Sequence, residues 1–238
     1  MIRYITKKYL LTFISTLVFL SFYSNASVVI NATRIIYPEK ETEVTVILTN
    51  KGQSPVLVQN WLDDGDINAS PERIDVPFII APPINRIDPG KSQTLRISYS
   101  GGALPSDRES IFWLNILEIP QTKPGASPNR LQVAFRSRIK LFYRPSELIK
   151  DPTEAADALS WSINNGVLTA KNDSAFFISL MSTTLINSDK KMIIDGEMIA
   201  PFSSHDFSLK NNALLKGDKV SYDYINDWGA VKTKKKTL

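Results

Sequence analysis

Read at period two, the segment NRLQVAFRSRIKLFYRP, Asn129 to Pro145, sorts into two faces. Leu131, Val133, Phe135, Ser137, Ile139, Leu141 and Tyr143 lie on one, and Gln132, Arg136, Arg138, Lys140 and Arg144 on the other. A strand running from Leu131 to Tyr143 is longer than the usual five or six residues and should reach past the core it belongs to. Upstream, SVVINATRIIYP, TEVTVILTN, SPVLVQNWL, PFIIAPPINRI, SQTLRISYS and SIFWLNILEIP are each rich in Val, Ile, Thr and aromatics, with Pro, Gly, Asn or Asp between them. Strands at spacings of about 8 to 12 residues with no helical period predict an antiparallel sandwich. With the segment above as the seventh strand, the set has the size of one immunoglobulin-like domain.

The pattern breaks after Pro145. In SELIKDPTEAADAL, Asp151 is placed as a helix cap, Pro152 as the first helical residue and Glu154 in the first turn, which predicts a hinge or a single helical turn. Strand patterning then resumes in LSWSI, GVLTAKN, AFFISLMSTTLI, KMIIDGEMIAPFSS, HDFSLK and VSYDYINDWGA. The reading is a first domain over 27–146, a hinge over 147–152 and a smaller β-domain over 153–238.

Residues 1–26 read as a signal peptide. Arg3, Lys7 and Lys8 precede the short apolar run YLLTFISTLVFLSF, and small residues at Ser24 and Ala26 mark a cleavage point before Ser27. The run falls short of the roughly 20 residues that span a bilayer. The formal net charge of +4 is concentrated at the ends, because the leader removes three cations and Lys232, Lys234, Lys235 and Lys236 sit in the last residues. No nucleic-acid footprint follows, since such a face needs clustering within the fold, and the lysine tail reads as a solvated, disordered end. The chain has no cysteine, so stability must come from burial, and thiolate metal sites and cysteine nucleophiles are excluded.

Tests for catalytic or ligand-binding patterns fail one by one. Gly90-Lys91-Ser92 lacks the preceding glycine of a phosphate loop, since position 85 is Asn. Asp64, Asp66, Asn68 and Asp75 imitate calcium-loop spacing, but Ala69 replaces the needed glycine and Pro71 intrudes. His205, the only histidine, has no nucleophile motif to serve and reads as a loop residue; alone it cannot build a zinc site. No metal, cofactor or nucleotide is expected, and the chain does not read as an enzyme.

Two features stay open at this level. Arg34 in the first strand and Lys140 in the seventh either share an anion, a carboxylate being the obvious one, or extend their heads into water along apolar stems. Leu131, Val133 and Phe135 either fill their own core or serve another molecule, because alternation says that one face is buried but not against what.

TRIIYP at Thr33 to Pro38, SDRESIFWLNILEIP at Ser106 to Pro120, RIKLFYRP at Arg138 to Pro145 and INDWGA at Ile225 to Ala230 are four motifs in fixed order. Together they resemble the periplasmic pilus-assembly chaperones, the PapD-like family, across nearly all the chain after the leader. The resemblance implies an all-β protein of two immunoglobulin-like sandwiches in a boomerang, or L-shaped, arrangement. It implies a periplasmic chaperone that binds, folds and caps pilus subunits by lending them a strand, and then delivers them to an outer-membrane usher. Carried over motif by motif, Leu131, Val133 and Phe135 become donor-strand residues, and Arg34 and Lys140 hold the subunit's terminal carboxylate. Glu109, Arg144 and Asp227 become a charged cluster joining the domains. Lys140 has the opposite parity from the donor residues, which a twist or bulge between them is expected to reconcile. The short connection QTKPGASPNR and the missing cysteine pair resemble the short-loop branch of the family. Self-association of the free chaperone through its apolar edge is a further expectation. The alternative, a secreted pilus subunit or adhesin, fits less well: such subunits carry a disulfide and an apolar carboxyl end, whereas this chain ends in lysines.

Overall fold

The computed structural model describes residues 27–121, 133–148, 150–164, 166–187, 190–208 and 219–238. The first domain holds β1 (Val28–Ile30), β2 (Arg34–Pro38), β3 (Val44–Asn50), β4 (Val56–Asp63), β5 (Phe78–Ala81), β6 (Ile84–Ile87), β7 (Ser92–Tyr99), β8 (Ser110–Pro120) and β9 (Phe135–Arg144). One sheet has the order β1-β3-β7-β5 and the other β2-β9-β8-β4-β6. All pairings are antiparallel except β2 with β9, which is parallel.

Two runs that read as single strands are each divided between the sheets. SVVINATRIIYP gives β1 to one sheet and β2 to the other, the chain crossing at Asn31–Thr33. PFIIAPPINRI does the same with β5 and β6, broken at Pro82 and Pro83, neither of which has an amide hydrogen to give a ladder. The first crossing matters for function. It sets β2 beside the last part of β9 and leaves the earlier part without that neighbour.

The inward rows of both sheets meet in one core that includes Val46, Leu48, Leu95, Ile97, Leu114, Ile116 and Leu141. Its end near the second domain is aromatic. Phe78 and Phe112 lie 4.9 Å apart edge to face, and Tyr99 and Tyr143 lie 4.8 Å apart. Tyr37, fully buried, donates to the Thr42 carbonyl at 3.0 Å and accepts from the Tyr99 amide at 2.9 Å, so its hydroxyl is not left unsatisfied.

Asp151 caps α1 (Pro152–Asp157) by accepting from the Thr153 amide at 2.7 Å. The segment expected as a hinge or single turn is thus a six-residue helix, and Ala156 with the following Leu159 packs into the second core. That domain continues with β10 (Ser160–Asn164), β11 (Val167–Asn172), β12 (Ile178–Asn187), β13 (Lys190–Asp195), β14 (Met198–Ile199), β15 (Ser203–Ser208), β16 (Lys219–Ile225) and β17 (Val231–Thr237). Its sheets are β10-β11-β15 and β13-β12-β16-β17, with β14 also on β12. At the register shift between Leu180 and Ser182, Gly196 passes so close that a Cβ would run into the Leu180 carbonyl. Only glycine fits there.

Two sequence expectations are corrected here. The lysine-rich tail is not a disordered end: Val231–Thr237 pairs along β16 from Ile225↔Val231 to Lys219↔Thr237, and Lys234 bridges to Asp157 at 2.7 Å. His205 is not in a loop but on β15, opposite Ala170, its ring set edge-on to Phe207 at 4.7 Å. Fold class itself is as read: all-β, in two sandwich domains.

Candidate functional site

β9 is one strand with two different environments. Its register against β8 is unbroken from Glu118↔Phe135 to Ser110↔Tyr143, whereas β2 covers its other edge only from Lys140 to Arg144. From Phe135 to Ile139 that second edge has no partner strand among the described residues. Side chains change along the same line. Leu141 and Tyr143 are buried and Ile139 packs against the core. Phe135, on the same face, is 66% exposed, and Val133 just before the strand is 48% exposed. The apolar row therefore runs off the end of its own core. Leu131, the third expected donor residue, lies outside the described residues.

The open edge stops at two cations. β2 begins at Arg34, whose register partner is Lys140. Arg34 Nη1 donates to the Ile225 carbonyl of the second domain at 2.9 Å, its guanidinium stands 5.6 Å from the Phe142 ring centre, and its buried Nε has no partner among the described residues. Burial lowers the Arg34 pKa, opposed by Asp227 and Glu109. The Lys140 ammonium makes no ion pair among the described residues. Burial, and then Arg34, lowers its pKa, with Glu197 opposing. Neither group has a carboxylate within ion-pair distance among the described residues. The β8 register shows no bulge between Phe135 and Lys140, so of the expected twist or bulge the bulge is absent: the two side chains leave opposite faces of a continuous strand.

Behind this pair the domains are fastened together. Arg144 Nε donates to Glu109 Oε1 at 2.8 Å, and its Nη1 and Nη2 grip Asp227 at 2.7 and 3.1 Å. Glu109, 3% exposed, accepts at its other oxygen from the Phe177 amide at 2.8 Å. Asp227 raises the Arg144 pKa first, Glu109 next, overcoming the still larger opposing effect of burial. The guanidinium also covers the Phe176 ring at 5.3 Å, and Phe142 meets Phe177 at 5.9 Å. The turn carrying Asp227 is tight: Gly229, at φ +78°, donates to Asn226, and a Cβ there would strike the Thr33 hydroxyl. The INDWGA turn is therefore shaped to sit on the segment leading into Arg34. A cleft of about 280 Å³ opens beside it, lined by Arg34, Pro152, Phe177, Tyr224, Asp227 and Trp228.

Sequence reasoning overlooked one group on the cationic face. Arg138 forms an ion pair with Asp63 and lies 4.7 Å over the Trp113 ring, while Asn115 donates to Asp63 at 2.6 Å. Burial works against the Asp63 carboxylate, but Arg138, Asn115 and the Gly65 amide together hold its pKa below the usual value. Parity placed Arg138 beside Lys140; nothing in the local text linked it to an acid far upstream in the chain. Arg136 is held by the Ile67 carbonyl at 2.9 Å.

These features define a binding protein that presents a strand edge next to paired cations, and comparison with known proteins gives the class its family. Residues 27–149 match the family described as "Pili and flagellar-assembly chaperone, PapD N-terminal domain", and 154–236 the "Pili assembly chaperone PapD, C-terminal domain". The chain belongs to this family of chaperones, which are not enzymes. It is 44% identical over 216 residues to the probable fimbrial chaperone YadV of Escherichia coli strain K12, covering 87% of each chain. It is 42% identical over 217 residues to the chaperone protein FimB/FhaD of Bordetella pertussis, covering 87% of this chain and 86% of that one. Among solved structures, the YadV chaperone superposes with a TM-score of 0.77 at 41% identity, over 89% of this chain and 100% of that one. The SafB chaperone, solved in complex with the SafA pilin of Salmonella enterica, gives 0.76 at 29% identity, over 89% and 96%.

Proposed function

We propose that this chain is a periplasmic chaperone that caps a fimbrial subunit by lending it β9 and then hands it to an outer-membrane usher. The observation that carries the reading is the open edge from Phe135 to Ile139 ending at Arg34 and Lys140. A subunit strand added there in line with β2 would run parallel to β9, so its carboxyl end would arrive where β2 begins, at the two cations. Leu131, Val133 and Phe135 would enter the subunit's core groove, each buried side chain worth about 1.5–3 kcal/mol. The exposed backbone edge would pair with the incomplete sheet of the subunit. Glu109, Arg144 and Asp227 would hold the two domains so that Arg34 stays at the end of the open edge. No step calls for nucleotide or metal. On this reading residues 1–26 are the export leader and domains over 27–146 and 153–238 flank a hinge at 147–152, and the short connection after Pro120 favours the short-loop branch. Before a subunit arrives, the same open edge is expected to self-associate.

The test is capture of a co-expressed subunit by Arg34→Ala and Lys140→Ala. Loss of one charge-assisted bond of about 1.5–3 kcal/mol should weaken capture by roughly ten-fold or more in each. Unchanged capture by both variants removes the carboxylate anchor.

A further inference from the structure

Ser27 and Glu118 meet at the end of the first sandwich farthest from the second domain. Glu118 occupies an inward position on β8, in line with Ile116 and Leu114, and is 8% exposed. Its cross-strand neighbours are Phe135 and Val58, neither able to bond a carboxylate through its side chain. Among the described residues its side-chain partner is the Ser27 hydroxyl, which donates to Oε2. Ser27 is itself fixed in place: its carbonyl accepts from the Lys51 amide at 2.7 Å, and the next residue, Val28, pairs with Asn50. With one neutral partner among the described residues, a buried carboxylate is costly, and a positive charge placed beside it would stabilise it.

Hydrolysis of the Ala26–Ser27 peptide bond by water leaves a carboxylate on Ala26 and an amine on Ser27, which takes up a proton. That nitrogen shares its Cα with the side chain already touching Glu118. We infer that leader removal completes the site: the new α-ammonium of Ser27 pairs with the Glu118 carboxylate and closes the sandwich end beneath Phe135. The inference rests on the processing position given above. Among the described residues, the other charged groups on the surrounding elements are Lys51 and Lys91 next to β3 and β7, Arg86 on β6, Asp88 after it and Arg136 on β9; Lys123 and Arg130 of the β8–β9 connection lie outside the described residues. Arg86 is taken by Asp88 at 3.0 Å, Arg136 is held by the Ile67 carbonyl, and none of them pairs with Glu118 among the described residues. Phe135 neighbours Glu118 on the same face, so a subunit covering Phe135 would remove still more water from the carboxylate and increase its need for the ammonium.

A chain beginning at Ser27 is compared with one carrying Gly-Gly ahead of Ser27, each with Glu118 and with Glu118→Gln. The extension should lower Tm by roughly 3 °C or more with Glu118 present and leave the Glu118→Gln chain unchanged. An equal loss in both backgrounds, or none in either, overturns the pairing. As a second readout, the α-amine pKa of the folded chain, followed by NMR, should lie above the ordinary value of about 8 and return to it in Glu118→Gln. For a raised amine pKa the stabilisation is complete below about 8 and disappears as pH rises through the shifted value; an ordinary pKa in both chains also overturns it. Mass spectrometry of the exported chain separates the two ideas: a start other than Ser27 sinks the processing position and this inference with it, whereas a Ser27 start without coupling sinks the inference alone.

Discussion

Arg34 and Lys140 stand at the point where the first domain, the second domain and the open strand edge come together. Each is a cation held in a partly desolvated place, and each has its pKa lowered by that burial. For Lys140 this has a measurable consequence. Its free-state pKa lies below the ordinary lysine value of 10.5, and a bound carboxylate would raise it. Affinity for a subunit should then be complete below the free-state pKa and fall as pH climbs through the bound-state value. Lys140→Arg keeps its charge throughout that range. Complex dissociation followed across the alkaline range should rise for the native chain and stay nearly flat for Lys140→Arg; parallel curves would show that Lys140 does not touch the carboxylate. The Asp63–Arg138 pair, by contrast, is already satisfied. It reads as a brace for the outer face of β4, β8 and β9 rather than as a binding group.

At the level of the element, β9 presents two environments on one periodic face. Leu141 is fully buried and Phe135 is mostly exposed, though both obey the same alternation. Leu141→Ala should cost about 2–5 kcal/mol of chaperone stability, whereas the uncharged Phe135→Ser should change it by no more than about 0.5 kcal/mol while losing subunit capture. Denaturant melts paired with capture assays check this. If Phe135→Ser left capture intact, the open part of β9 would not be the donor. The contrast also explains what the sequence could and could not convey. Alternation from Phe135 to Tyr143 was legible because the row is apolar apart from Ser137, but where the core ends depends on the opposite sheet, which no local pattern encodes. β17 was illegible for the opposite reason. Its side chains are nearly all exposed, so it is held by pairing with β16 and leaves no apolar period to read. The split of the first run into β1 and β2 was hidden because Asn31–Thr33 crosses between sheets without a glycine or proline to mark it.

For the whole molecule, the decisive quantity is the placement of one sandwich against the other, because Arg34 donates to the Ile225 carbonyl and the preceding Thr33 lies against the turn at Gly229. Arg144 governs that placement through three contacts: a buried carboxylate from the first domain, an acidic residue from the second and the Phe176 ring. No local feature of the sequence joins these residues; Glu109, Arg144 and Asp227 are linked at the level of sequence only through the order of motifs shared with the chaperone family. Arg144→Ala would strand the Glu109 carboxylate in a nearly water-free position, at a cost of about 3–5 kcal/mol. It would also release Asp227 and loosen the turn behind Arg34. Arg144→Lys should not restore function, because an ammonium cannot grip Asp227 with two parallel bonds while holding Glu109 with a third. Small-angle scattering should then show a broader distribution of interdomain distances in both variants, and subunit capture should fall in both although neither Arg34 nor the open edge has been altered. Retention of the native scattering profile and of full capture by Arg144→Lys would show that packing of Phe142 on Phe177, rather than the charged clamp, sets the angle between the domains.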